Sequence, residues 1–257
     1  MIAYIIGYIS LVVVPLLCIW YINWKIGGTP KFWSVMKRAA IIMPFTIFLV
    51  SVPLANMFVT VGFCTAEATD LTAIIAKSFW RAGFPEEVCK ILSVILLLLW
   101  NRKKGLHINI SHIFLCVFVI GCMFAMYENL MVGYPNVGKF FSRHYAEVGH
   151  FCYSVMMGYG VCEFLKSKKD YTSVIRLSFW AFVLPVMMHM LYDICPFGIQ
   201  TYTEFRVQAM FLFGSIACTT ANVWIAHRCF KRMSLTDRKE GDATSIDVQN
   251  HKKLQEL

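Results

Sequence analysis

Eight ionisable residues stand inside apolar runs of this chain: Glu86, Glu87 and Lys90 in PEEVCK, Glu128 in FAMYE, His150 in EVGHF, Glu163 in VCEFL, and His189 and Asp193 in HMLYD. A charge in hydrocarbon is costly, so each of them is a candidate for function. Two histidines and a carboxylate, with a second carboxylate near, make a set that can hold a catalytic zinc while one position stays open for water. A metal lowers the pKa of such a water toward neutrality, and a glutamate beside it serves as general base. Hydrolysis of a peptide bond at the membrane boundary is the chemistry this set suits, although the spacing is not that of a soluble HExxH zincin.

Spacing adds detail. His189 and Asp193 are four apart on one helix face, so the carboxylate can accept from the imidazole and fix its tautomer. Glu86 and Lys90 are also four apart and can neutralise one another, which leaves Glu87 freer for chemistry. Blander readings exist for each residue taken alone. Glu86 and Glu87 follow Pro85 and suit a helix N-terminus, where acids meet the positive end of the macrodipole. His150 can be an interfacial histidine and His189 a hydrogen-bonded packing residue. Glu128 fits a bland reading least, lying mid-run in MFAMYENLMVG with no charged neighbour.

The elements that must position these groups are membrane helices. Of the 257 residues 58% are hydrophobic and only 15% charged, against about a quarter charged in soluble domains. Seven apolar segments approach or reach the ~20 residues that a bilayer requires: Ile2 to Ile22, Ala39 to Met57, Phe84 to Trp100, Ile113 to Tyr134, Val148 to Leu165, Leu177 to Phe197 and Val207 to Ala226. The reading is an all-α polytopic bundle, residues 1–230, with a polar tail, 231–257, whose composition predicts disorder. Residues 2–22 lack the basic start and small-residue cleavage site of a signal peptide, so they are expected to stay as the first span. LTAIIAKSFWRA, Leu71 to Ala82, is short and carries Lys77 and Arg81, which predicts a separate interfacial or re-entrant helix, with Pro85 restarting the chain. The ten cysteines form no CxxC pair.

The net charge of +9 does not indicate nucleic-acid binding, because of where the charge lies. Eighteen of the 24 basic residues follow the first, third, fifth and seventh segments, on one side of the membrane. That side is cytoplasmic by the positive-inside rule, so the N-terminus is outside and the C-terminus inside. With this boundary and 1.5 Å of rise per residue, Glu86 lies ~22 Å above Asn101, Glu128 ~24 Å above His112, and His150 ~24 Å above Lys166. His189 and Asp193 lie ~20 and ~26 Å above Arg176. Four helices of alternating direction thus deliver these groups to one level in the outer half of the bilayer. Glu163 is the exception, beside Lys166 at the inner end.

The sequence resembles the PrsW family of intramembrane proteases. EEVCK at 86–90 is similar to its E-E-x-x-K motif, FAMYE at 124–128 to F-x-x-x-E, HMLYD at 189–193 to H-x-x-x-D, and His150 to its lone histidine between the second and last motifs. The motifs fall in order over roughly residues 80–200. Lys90 and Glu128 set them apart from the related CAAX prenyl endopeptidases and bacteriocin-processing proteins, which have arginine and histidine there. The resemblance implies an endopeptidase cutting membrane-anchored proteins near the outer face of a bacterial cytoplasmic membrane, with an anti-sigma factor as the best-known type of target. On this reading His150, His189 and Glu128 bind a divalent ion, zinc first among them. Glu87 or Glu86 is the general base, Lys90 holds the glutamate pair and Asp193 orients His189. A glutamate-activated water without a metal stays open. So do a non-catalytic scaffold of the same fold and an ion-coupled transporter. Against the transporter stand the absence of an internal repeat and the confinement of polar groups to one leaflet.

Overall fold

Three prolines, Pro53, Pro85 and Pro185, sit inside long apolar runs, and at each one the helix widens instead of ending. A computed structural model describes the backbone of residues 2–28, 31–105, 110–132, 137–167 and 170–255, and the side chains of 9–28, 31–105, 110–131, 143–167 and 170–233. Among the described residues there are seven continuous helices and no strand: Ile2–Lys25, Phe32–Thr60, 71–103, Ile110–Val132, Val137–Lys166, Tyr171–Thr201 and Phe205–Gln255. The second, third and sixth each contain one π-helical turn, Ile47–Ser51, Ser78–Gly83 and Phe179–Val183, ending two residues before its proline. A proline has no N–H to donate and its ring clashes with the carbonyl four residues earlier. The wider turn moves that carbonyl aside, so the helix continues.

This corrects the expected break at Pro85. Leu71 to Ala82 is not a separate interfacial helix but the first part of the third helix, in line with the segment that carries Glu86, Glu87 and Lys90. The start of that helix is fixed by Asp70, whose carboxylate accepts from the Ala73 N–H at 2.8 Å. Asp170 starts the sixth helix in the same way, accepting from the Ser173 N–H at 2.8 Å. The fifth helix also begins earlier than its apolar run predicts, at Val137 rather than Val148, which brings Arg143, His144 and Glu147 into it.

Among the described residues four helices are long and apolar enough to cross a membrane: Phe32–Thr60, Ile110–Met131, Tyr171–Thr201 and Phe205–Met233; Ile9–Lys25 is a shorter apolar helix. The third and fifth are less apolar because they carry ionisable groups, Glu86, Glu87 and Lys90 in one and Arg143, Glu147 and Glu163 in the other. The chain is an integral membrane protein. Its fourth helix is the centre of the bundle, with every side chain from Phe114 to Ile120 and from Cys122 to Ala125 buried. That explains a helix apolar on all faces, packed against the first, second, third and fifth.

Polar groups tie neighbouring helices together. Thr46 and Ser93 share a hydroxyl hydrogen bond of 2.6 Å, and Arg38 donates to Asn101. Tyr127 donates to the Ala40 carbonyl at 2.8 Å. Such bonds are worth about 1 kcal/mol each between membrane helices. All ten cysteines are free. Composition predicts a disordered tail after Lys231, whereas no proline follows Pro196 and the backbone continues as helix to Gln255. The side chains of residues 234–257, Lys168 and Lys169, and the expected end of the fourth span at Tyr134 lie outside the described residues.

Candidate active site and metal centre

Helices three to six bring their ionisable residues to one place. Glu86, Glu128, His150, His189 and Asp193 line a cavity of about 400 Å³, together with Arg143, Tyr153, Lys77 and Arg81. Glu87 and Lys90 lie behind it, 0% and 1% exposed. The rings of His150 and His189 are 5.1 Å apart between centroids.

Behind the cavity the two glutamates have exchanged the roles that spacing suggests. Lys90 pairs with Glu87 rather than Glu86, its Nζ 2.5 Å from Glu87 Oε1. Residues three apart on a helix are as close as residues four apart, and here Glu87 and Lys90 both face the bundle interior while Glu86 faces the cavity. Glu87 Oε1 also accepts from His189 Nδ1 at 2.9 Å. Glu87 therefore holds the His189 ring from behind, and in the neutral ring this leaves the Nε2 lone pair toward the cavity. Nε2 there lies 3.5 Å from Glu86 Oε2 and 3.4 Å from Asp193 Oδ2. Asp193 is thus near His189 as expected, but on the cavity nitrogen. Tyr153 stacks on the same ring, 5.0 Å between centroids and 22° between planes.

Lys90 fixes the second histidine. Its Nζ donates to His150 Nδ1 at 2.8 Å and lies 4.7 Å from the centre of the Phe124 ring. His150 Nε2 lies 2.9 Å from Glu128 Oε2; with Nδ1 accepting, Nε2 carries the hydrogen, and it can ligate a cation only in the form in which that hydrogen has been released. Glu128 does have a charged neighbour: Arg143 Nη2 lies 2.5 Å from the same oxygen.

Arg143 went unnoticed in the sequence because it precedes the apolar run. It heads a partly buried relay, donating from Nε to Asn129 Oδ1 at 2.6 Å, while Asn129 Nδ2 donates to Glu147 Oε1 at 2.7 Å. Glu147 Oε2 in turn lies 2.7 Å from His144 Nδ1, and His144 Nε2 lies 3.0 Å from Ser10 Oγ. The signal available was the spacing of Arg143, Glu147 and His150, which places all three on one helical face. Tyr153 offered none.

The donor set suits a divalent cation. One ligand atom from each of Glu86, His150 and His189 lies within 4.8 Å of the others. Glu86 Oε2 and Glu87 Oε2 are buried without a hydrogen-bond partner among the described residues. An unpaired buried carboxylate oxygen is unfavourable, and for Glu86 a cation between the histidines removes that cost. Two imidazoles and a carboxylate with further acids around them match a three-ligand catalytic zinc set.

A family model described as PrsW family intramembrane metalloprotease matches residues 32–219. No curated protein and no solved structure matches the chain.

Proposed function

The chain belongs to the PrsW family of intramembrane metalloproteases, and from that premise we propose how this membrane-embedded protease works and on what. The family implies a divalent metal; zinc is the ion proposed, held by Glu86, His150 and His189. The observation that carries this reading is the buried Oε2 of Glu86, without a hydrogen-bond partner among the described residues and 3.5 Å from His189 Nε2, in one cavity with both histidine rings. It differs from the ligand set read from sequence, where Glu128 was a ligand and Glu86 or Glu87 the base. When bound, the ion supplies Lewis-acid polarisation and lowers the pKa of water.

The chain's own residues do the rest. Glu87 fixes the tautomer of His189, and Lys90 neutralises Glu87 so that a buried acid can stay ionised there. Glu128, held in place by Arg143, is the carboxylate on the cavity wall that accepts the proton of the attacking water and returns it to the leaving amine. Tyr153 and the walls of the cavity restrict bulk water. Asp193 stands opposite Glu128 as a second acid on the His189 side.

The substrate proposed is a membrane-anchored protein cut near the outer face of the bilayer, with an anti-sigma factor or similar regulator as the type suggested by the family resemblance. Residues 1–230 act as one peptidase domain in a bacterial cytoplasmic membrane, the N-terminus outside. Comparison of protein termini in the membrane proteome, with and without the intact enzyme, tests this. New termini close to the outer ends of spans are expected, absent with His189→Ala. Identical termini in both would favour a scaffold instead.

A further inference from the structure

Lys77 and Arg81 stand where this chain otherwise avoids positive charge. Apart from the basic residues that gather on one side, the sequence has Lys77, Arg81, Lys90, Lys139, Arg143 and Arg206. Lys77, Arg81 and Arg143 line the cavity of helices three to six, and Lys90 lies behind it. Lys90 and Arg143 have their charge used there, by Glu87 and Glu128. Lys77 and Arg81 do not: no carboxylate forms an ion pair with either among the described residues. Glu67 is the acid whose charge reaches Lys77, and it is exposed. The stretch 132–142, ahead of Arg143, contains no Asp or Glu.

The two cations are held in place by groups that leave their charge unanswered. Lys77 Nζ lies 4.6 Å from the centre of the Phe197 ring, and Arg81 Nη1 donates to the Ala66 carbonyl at 2.5 Å. We propose that Lys77 and Arg81 select the substrate, binding acidic side chains of the membrane-anchored protein on the outward side of the bond that is cut. This rests on the proteolytic reading above and gives it a substrate class. Both residues come from the third helix, outward of Glu86, Arg81 by ~7 Å and Lys77 by ~13 Å at the rise of a helix. An extended substrate segment advances ~3.3 Å per residue. Arg81 therefore stands level with about the second residue from the cut bond, and Lys77 with about the fourth. An acid at those positions gains a charge-assisted bond in a partly dry cavity mouth, where it is stronger than in open water. A basic residue there is repelled, so the rim discriminates in both directions.

The test uses the full chain in phosphatidylcholine nanodiscs with two membrane-anchored reporters. They differ only in carrying Asp or Lys at the second and fourth residues outward of the cleaved bond. The wild type should cut the Asp reporter with kcat/KM about tenfold higher or more. Lys77→Gln/Arg81→Gln should bring the two values together, and Lys77→Glu/Arg81→Glu should reverse their order, which a damaged fold cannot do. Equal kcat/KM for both reporters in the wild type, or a preference kept in the glutamine variant, would overturn the proposal and leave the proteolytic reading in place. Cleavage of neither reporter by the wild type would overturn that reading and the proposal with it. Loss of the preference when phosphatidylglycerol replaces part of the phosphatidylcholine would also overturn the proposal, and would assign the rim to lipid headgroups.

Discussion

Lys90 touches both sides of the site, with Glu87 on one and His150 on the other. Removing it leaves Glu87 buried and unneutralised, so Lys90→Met should destabilise the protein by about 3–5 kcal/mol. The double variant Glu87→Gln/Lys90→Met should recover part of that loss in thermal unfolding, because no lone charge then remains inside. The two acids on the cavity wall divide differently. Glu86→Gln should lose both metal and cleavage, whereas Glu128→Gln should keep metal and lower kcat by about 10²–10⁴. Arg143→Gln, which frees Glu128 without removing it, should cost about 10–100-fold. Metal lost from Glu128→Gln but kept in Glu86→Gln would restore the assignment first read from the sequence.

Among the helices, the sixth is seated by glycines. A Cβ on Gly83 would lie 3.2 Å from the Val186 carbonyl oxygen and 3.3 Å from the Met190 nitrogen, both backbone atoms of the helix that carries His189. On Gly160 it would lie 2.8 Å from the Ala181 nitrogen. Gly83→Val and Gly160→Val should therefore push the sixth helix outward, with about 1–3 kcal/mol of overpacking and reduced cleavage, read by thermal unfolding and reporter turnover. An unchanged melting temperature would refute the close approach. These helices also show what the sequence made legible. Glu86, Glu128, His150 and His189 stood out because each is ionisable in an apolar run, and their common depth followed from rise per residue alone. The continuity through Pro85 was not legible, because Pro-Glu-Glu reads locally as a helix start. Nor was the choice between Glu86 and Glu87 as partner of Lys90, which depends on which face of the third helix turns inward. Arg143 was hidden by a polar stretch that hydropathy assigns to a loop.

The whole molecule is a bundle around an apolar fourth helix, with the proposed proteolytic site toward one end and most of the basic residues toward the other. If the basic end is cytoplasmic, Glu67→Cys between the second and third helices should react with a membrane-impermeant maleimide in intact cells, above the wild-type baseline. Arg102→Cys should react only after permeabilisation. The reverse pattern would invert the topology and place the site at the inner face. Whether Glu86, His150 and His189 hold a catalytic metal is decided by elemental analysis of detergent-purified protein alongside cleavage of a membrane-anchored reporter. One divalent ion per chain, zinc, is expected, with metal and cleavage both lost in Glu86→Gln, His150→Ala and His189→Ala. A protein without stoichiometric metal that still cleaves in the presence of chelators would contradict it and leave a glutamate-activated water as the mechanism.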